Sequence, residues 1–358
     1  MSAEAKQGYY ELVEPRTLFN SIIPVLLGIM YTEYNFQLFR IFPTIEMCIA
    51  TIVLQIFMNV NDGYWDYKRE KAAKTGDHKK NPIGKYHLNP KHVLVLIWIL
   101  FIISATCAFM IGFQTNLYIW ILGIICYAIA ISYSTGSHTI SAGPFGEIAA
   151  CFAMGFGIFL IMVYINVYPH VPFNWNFVWP IILAAGIPEI CNFTLMLGNN
   201  LCDHDADIAN GRHTLVSYIG IKGGLYLFVF NYLLGFFLTG WAIWVGVLPW
   251  SVALILICIP TIYKNMRFLW KIQTKPKSFP KVVQNTQVLF VTEAVGFFIG
   301  LMLNLRIKYP FDPDVNHLDF LLFLNSYFQY AKLLILLVLF NKTRTIFLIY
   351  YKNIHVFY

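Results

Sequence analysis

Long apolar runs recur along the whole chain, and they limit its fold more than any other feature. A helix of about twenty residues can cross a hydrocarbon core of about 30 Å. Apolar runs of about this length lie near 18–35, 42–61, 92–112, 115–133, 145–167, 178–199, 223–246, 248–263, 287–305 and 318–340. Transmembrane β-strands alternate in short segments, which excludes a barrel. With 58% hydrophobic and 12% charged residues, the chain also lacks the polar surface of a soluble protein. The sequence therefore predicts an all-α, polytopic transmembrane helical bundle.

The last run differs from the others because it carries Asn325, Gln329 and Lys332. We expect about nine membrane helices, with a tenth, C-terminal span as the open alternative. The final residues, 341–358, are basic and aromatic, which is typical of a tail or an interfacial segment.

Basic residues cluster in alternate connections between the runs. Residues 63–91 contain eight Lys or Arg and residues 264–281 contain six, and Arg212 and Lys222 lie in a third connection. With the N-terminus inside, all three connections fall on the cytoplasmic side, as the positive-inside rule requires. The net charge of +7 is thus explained by cytoplasmic loops and anionic lipid, with no need for a nucleic-acid partner.

Acidic residues are scarce and unevenly distributed. Of 18 Asp and Glu, seven lie in two short windows: Asp62, Asp66, Glu70 and Asp77, then Asp203, Asp205 and Asp207. The pairs 62/66 and 203/207 share a spacing of four and are offset by 141 residues. Each pair follows an even-numbered run, on the same side of the membrane. This pattern suggests an internal duplication, although the remaining sequence shows no obvious repeat.

Carboxylates four residues apart share one helix face, where they repel each other. A divalent cation would offset that repulsion, and Mg²⁺ takes one or two carboxylates together with substrate phosphate oxygens. Asn199 precedes Asp203 by four residues and adds an amide oxygen to the same face. We therefore expect Asp62, Asp66, Asn199, Asp203 and Asp207 to bind Mg²⁺ and a diphosphate, and Asp205 to be solvated. The alternative is that all of these acids are solvated loop residues.

Basic residues follow both acid pairs. Lys79, Lys80 and Lys85 follow the first pair, and Arg212 and His213 follow the second. Lysine and arginine donate to phosphate oxygens and stabilise a leaving diphosphate. We expect Lys79, Lys80 and Arg212 to bind substrate, whereas an ordinary excess of cytoplasmic charge is the alternative for each lysine.

Four segments resemble the UbiA superfamily of intramembrane prenyltransferases, and within it the 1,4-dihydroxy-2-naphthoate polyprenyltransferases of menaquinone biosynthesis. They are residues 14–28 (EPRTLFNSIIPVLLG), 59–72 (NVNDGYWDYKREKA), 133–148 (YSTGSHTISAGPFGEI) and 199–220 (NNLCDHDADIANGRHTLVSYIG). The fourth segment is highly specific. Met58 departs from the family pattern, which has an asparagine four residues before its first aspartate. Asn61 with one inserted residue is the alternative alignment.

The resemblance implies nine helices around a central cavity and Mg²⁺-dependent attack of an aromatic ring on an isoprenyl diphosphate. It covers about residues 12–305, so we divide the chain into a membrane domain, 1–305, and an extension of unknown role, 306–358. Asn61, Tyr133, Arg16 and Glu147 are its further substrate-binding candidates. For Arg16 an interfacial anchor, and for Glu147 a helix cap, is an equal alternative. The expected location is the plasma membrane, with the site facing the cytoplasm.

Other functions remain open at this point. Another aromatic or quinone-precursor acceptor would use the same diphosphate chemistry. A divalent-cation transporter would also use intramembrane acids. Transporters place such acids near the bilayer midplane, whereas the acids of this chain lie at the ends of apolar runs, beside basic connections, which argues against transport. A noncatalytic scaffold would leave the repeated acid pattern unexplained.

Overall fold

A computed structural model of the protein describes residues 2–73, 79, 81–136 and 139–303. Within these residues the regular structure is helical throughout, which confirms the predicted fold class. Eight helical segments are long and apolar enough to cross a membrane, and a bent pair supplies a ninth. The expected tenth span near 318–340 and the extension 306–358 lie outside the described residues, so the division into two domains stays a prediction.

The helices follow one another with short connections. They are α1 (Ala3–Val13), α2 (Phe19–Phe36), α3 (Ile41–Ala73), α4 (Pro82–Lys85), α5 (Pro90–Phe113), α6 (Leu117–Ser134), α7 (Gly146–Ala150), α8 (Ile158–Val167), α9 (Trp175–Ala184), α10 (Gly186–Ala209), α11 (Leu215–Trp244), α12 (Ile259–Lys271) and α13 (Lys275–Met302). A π-helical segment, Cys151–Gly157, joins α7 to α8, and 3₁₀ turns precede α2 (Pro15–Leu18) and α12 (Trp250–Cys258).

Asparagine fixes where three of the spans begin. The side chains of Asn89, Asn116 and Asn174 accept hydrogen bonds from backbone N–H groups in the first turns of α5, α6 and α9. Each bond satisfies a donor that a helix N-terminus leaves without an intrahelical partner. The polar caps thus lie where the apolar runs start, at the edge of the membrane.

Helices α5 and α6 face lipid. Only 17% of each apolar window is buried inside the protein. Trp98, Ile102 and Phe113 on α5 are each more than half exposed. An exposed apolar surface of this size would be unstable in water but is satisfied by hydrocarbon. The protein is accordingly an integral membrane protein.

Two helices extend well past their predicted ends. The apolar run near 42–61 becomes α3, which continues to Ala73, and the run near 178–199 ends in α10, which continues to Ala209. Hydropathy falls where the hydrocarbon ends, but Lys, Arg and Glu remain good helix formers in the headgroup region. The acid pairs 62/66 and 203/207 therefore lie within continuous helices, as their spacing of four predicts, and their side chains have fixed directions.

The π-helical segment packs unusually close to the start of α10. A Cβ atom added to Gly155 would lie 2.6 Å from the Cα atom of Glu189 and 2.9 Å from the carbonyl oxygen of Pro188. Helices α9 and α10 meet at a bend of 57° at this level. Small residues allow membrane helices to approach in this way. Gly155 therefore allows the π-helical segment to pack against α10 at the bend.

We expect Gly155→Ala to lower the free energy of unfolding by about 1–3 kcal/mol, because the added methyl group meets backbone atoms that have no room to move. Gly240→Ala is the matched control, since a Cβ atom there meets nothing within 4 Å and alanine favours a helix. Thermal unfolding of both variants in one detergent is the measurement. Equal stability of the two variants would contradict the close packing.

Candidate active site

A cavity of about 400 Å³ lies between the helices. Its deep part is apolar and includes Met47, Ile111, Ile119 and Ile161, whereas its other end carries the acidic and basic side chains. This volume is within the range of a drug-sized ligand site. The cavity thus has an apolar part and a charged end.

The two acid-bearing segments meet at the charged end. Asp62 and Asp66 from α3, and Asn199 and Asp203 from α10, all line the cavity. Residues four apart lie on one helix face, which explains why both members of each pair are presented together. Segments 141 residues apart in the sequence therefore contribute oxygen ligands to one space.

Asp207 lies beside the cavity and is not one of the described residues that line it. Its side chain is buried, and its Oδ1 atom lies 3.3 Å from Nε of Arg212, which does line the cavity. The other carboxylate oxygen, Oδ2, is buried and finds no hydrogen-bond partner within the described part of the chain. Asp205 lies two residues from both Asp203 and Asp207, on a different face of α10. It is exposed, as expected of a solvated residue.

Each of three acids is paired with its own basic residue. Nη2 of Arg69 lies 2.6 Å from Oδ1 of Asp66, and Nζ of Lys275 lies 2.6 Å from Oδ2 of Asp203. The third pair is Asp207 with Arg212. Buried or half-buried carboxylates are costly without a partner, so these pairs keep the charged end stable.

The acids suit a hard cation that also binds phosphate. No group of three or more His, Cys, Asp or Glu among the described residues is arranged as a metal centre. Mg²⁺ does not need one, because it takes one or two carboxylates and completes its shell with phosphate oxygens and water. The donors at the charged end are all oxygen atoms, and the unpartnered Oδ2 of Asp207 has free ligand capacity. The residues present therefore fit Mg²⁺ bound together with a diphosphate.

Two other sequence candidates are near the cavity. Tyr133 lines it, and its buried hydroxyl has no hydrogen-bond partner among the described residues. Glu147 is fully buried, and its Oε1 accepts a 2.9 Å hydrogen bond from Nδ2 of Asn200, which lines the cavity. Glu147 thus orients a cavity residue and is not itself part of the lining.

The remaining candidates lie elsewhere. Nδ2 of Asn61 donates to Oγ1 of Thr135 at 2.9 Å, and Asn61 is buried away from the cavity lining. Arg16, in the turn before α2, and Lys79 are exposed and are not among the described lining residues. Lys80 lies outside the described residues. In this arrangement Arg16, Asn61 and Lys79 stay predictions without support from the cavity geometry.

A polar network that the sequence analysis missed lines the wall beside the acids. Oγ of Ser21 donates to Oε1 of Gln55 at 2.8 Å, and Nε2 of Gln55 donates to Oδ1 of Asn59 at 3.1 Å. Nδ2 of Asn59 donates in turn to Oγ1 of Thr17 at 2.8 Å. All four residues line the cavity. The signal was available, because positions 55, 59, 62 and 66 follow the spacing of one helix face.

Comparison with known proteins gives the same picture of the fold. The sequence profile of the UbiA prenyltransferase family matches residues 21–303. A 1,4-dihydroxy-2-naphthoate octaprenyltransferase of Bacillus subtilis (strain 168) is 26% identical over 246 residues, which is 67% of this chain and 75% of that protein.

Two solved structures share the fold at low sequence identity. A UbiA homolog from Archaeoglobus fulgidus bound to DMAPP and Mg²⁺ gives a TM-score of 0.59 at 11% identity, covering 82% of this chain and 99% of the other. The apo structure of a UbiA homolog from Aeropyrum pernix K1 gives 0.61 at 14% identity, covering 82% and 98%.

Proposed function

The chain belongs to the UbiA prenyltransferase family, and from this premise we propose that it transfers a polyprenyl group from an isoprenyl diphosphate to 1,4-dihydroxy-2-naphthoate. The observation that carries the proposal is the meeting of Asp62 and Asp66 with Asn199 and Asp203 at one end of an apolar cavity. The family supports a transferase reaction, and the acceptor is suggested by the Bacillus subtilis relative. Such a reaction belongs to menaquinone biosynthesis.

The diphosphate binds at the charged end in this proposal. Asp62, Asp66, Asn199, Asp203 and Asp207 would hold Mg²⁺, and the relative from Archaeoglobus fulgidus was solved with Mg²⁺ and DMAPP. When bound, Mg²⁺ supplies Lewis-acid stabilisation of the charge on the departing diphosphate. Arg212 lines the same end and donates to the diphosphate oxygens.

The apolar part of the cavity protects the reacting carbon. Breaking the bond between prenyl C1 and the diphosphate oxygen leaves an allylic cation, which water would consume. The apolar and aromatic side chains that line the cavity beyond the acids include Tyr127, Tyr133 and Phe279. They exclude water, and aromatic faces attract a cation by about 0.5–2 kcal/mol.

The acceptor ring then forms a bond to C1 of the prenyl group. For a dihydroxynaphthoate, the electron pair of the ring–carboxylate bond returns to the ring as carbon dioxide leaves, so the products are prenylated naphthoquinol, diphosphate and carbon dioxide. The network of Ser21, Gln55, Asn59 and Thr17 lies beside the acids. Its hydroxyl and amide groups suit the ring hydroxyls of such an acceptor.

The site faces the cytoplasm of the cell in this proposal, in the plasma membrane. Four basic residues, Arg69, Lys85, Arg212 and Lys275, lie at or next to helix ends on the same side of the bundle as the charged end of the cavity. A positive excess is typical of the cytoplasmic side.

A panel of acceptors tests the proposal. We expect the purified protein to prenylate 1,4-dihydroxy-2-naphthoate from an isoprenyl diphosphate when Mg²⁺ is present, with turnover lost in EDTA and restored by Mg²⁺. If the protein prenylates only a different acceptor, such as 4-hydroxybenzoate, the proposed acceptor is wrong but the proposed prenyl transfer stands. Mg²⁺ flux into proteoliposomes without prenyl substrate would instead indicate transport.

A further inference from the structure

We propose that Lys275 exchanges partners during substrate binding: it neutralises Asp203 in the free protein and binds a diphosphate oxygen once metal and diphosphate arrive. The inference rests on the proposed function. It concerns a residue on a third element, at the start of α13, away from the two acid-bearing segments and the connections that follow them.

The position of Lys275 suits both partners. Its Nζ atom lies 2.6 Å from Oδ2 of Asp203, and Lys275 itself lines the charged end of the cavity. The Lys275 side chain is 54% exposed, whereas that of Asp203 is 21% exposed. The ammonium group is therefore held over the acid but remains open towards the space where a diphosphate would lie.

Lys275 is also less fixed than the other two cations of the site. Arg69 donates to the carbonyl oxygens of Ser134 and Gly136 as well as to Asp66, and Arg212 donates to the carbonyl oxygen of Ser141. Lys275 donates to Asp203, and the described residues give it no second acceptor. A lysine carries its charge on a flexible four-carbon stem, so it can turn from the carboxylate to a phosphate.

This arrangement couples the two ligands. A metal ion that binds Asp203 competes with the Lys275 ammonium, and without diphosphate the displaced ammonium loses its carboxylate partner, although Glu14 also lines this end of the cavity. Diphosphate supplies negative oxygens that receive Lys275 directly. Lys275 therefore opposes binding of metal alone and favours binding of metal with diphosphate, which is positive coupling between the two.

The test replaces the charge and measures the two binding steps separately. With Lys275→Gln, we expect Mg²⁺ alone to bind about threefold to tenfold more tightly, and inorganic diphosphate in the presence of Mg²⁺ to bind about tenfold more weakly. Both constants come from the shift of the thermal unfolding midpoint with ligand concentration. Lys275→Arg keeps the charge and should retain most of the coupling.

Lys277→Gln is the matched control. Lys277 lies two residues further along α13, is exposed, and is not among the described residues that line the cavity. It removes the same charge from the same helix, and both constants should stay within about twofold of the wild type because exposed charges are strongly screened.

Opposite changes in the two constants are the signature of the exchange. Changes of the same sign, or values for Lys275→Gln equal to those for Lys277→Gln, would overturn the role of Lys275 and leave the proposed function intact. Failure of the wild-type protein to bind Mg²⁺ with diphosphate would overturn the proposed function, and the exchange with it.

Discussion

Replacing Asp203 and Asp207 together with alanine is expected to lower prenyl transfer by at least about 10³-fold, since loss of a single charge-stabilising group at an active site costs about 10²- to 10³-fold. The double variant removes the α10 carboxylates that we assign to Mg²⁺. It also leaves Lys275 and Arg212 without the acids that pair with them. The measurement is kcat/KM for the isoprenyl diphosphate at saturating acceptor and Mg²⁺.

Asp205→Ala is the control for this experiment. Asp205 lies on the same helix between the two acids, but it is exposed, and its loss should change kcat/KM by less than about twofold. Because Asp207 is buried, a variant with Asn at positions 203 and 207 keeps the side-chain volumes and separates lost chemistry from lost folding. Full activity in either double variant would overturn the metal–diphosphate assignment.

Much of the fold could be predicted because the membrane imposes a simple rule. A segment in hydrocarbon must satisfy its own backbone hydrogen bonds, so a long apolar run is a helix. The rule ends where the hydrocarbon ends, and for this reason it could not show that α3 continues to Ala73 or α10 to Ala209. Nor could it show the bend of 57° between α9 and α10, since Gly186 and Pro188 at the bend look like other small or rigid residues in an apolar run.

Part of the candidate site could also be predicted from the sequence, because the apolar membrane segments make charged residues conspicuous. Asp62, Asp66 and Asp203 could be singled out because charge is rare in this chain, and Asn199 because its spacing of four from Asp203 places it on the same helix face. Gln55 and Asn59 carry the same spacing, but uncharged residues attract less notice in an apolar run. Lys275 was hidden among other lysines, because the pattern of cytoplasmic charge accounts for every lysine equally well. Only the packing of α13 against α10 brings Lys275 to Asp203.

The first acid pair is where sequence and structure together sharpen the assignment. The family's usual asparagine position, four residues before Asp62, is Met58, which lines the cavity and has no oxygen ligand to offer. The sequence left Asn61 as the alternative. In the structure the amide of Asn61 donates to Thr135, while Asp62, Asp66 and Asn59 line the cavity. We therefore propose that Asp62 and Asp66 supply the metal ligands of this half of the site.

We accordingly expect Asp62→Asn and Asp66→Asn each to lower kcat/KM for the isoprenyl diphosphate by at least about 10²-fold, because each removes one negative charge that Mg²⁺ requires while keeping the side-chain volume. Asn61→Ala is the comparison. It should keep kcat/KM within a few-fold of the wild type but lower the free energy of unfolding by about 1–3 kcal/mol, since it removes the buried Asn61 amide and leaves the Thr135 hydroxyl without that donor.

The two measurements separate a ligand from a structural residue. Steady-state kinetics across a range of Mg²⁺ concentrations should show a raised Mg²⁺ requirement for the Asp62 and Asp66 variants and an unchanged requirement for Asn61→Ala. Thermal unfolding should show the reverse order of effects. If Asn61→Ala raised the Mg²⁺ requirement while Asp62→Asn did not, the inserted-residue alignment would be correct, and the ligand set at this end of α3 would shift from Asp62 to Asn61.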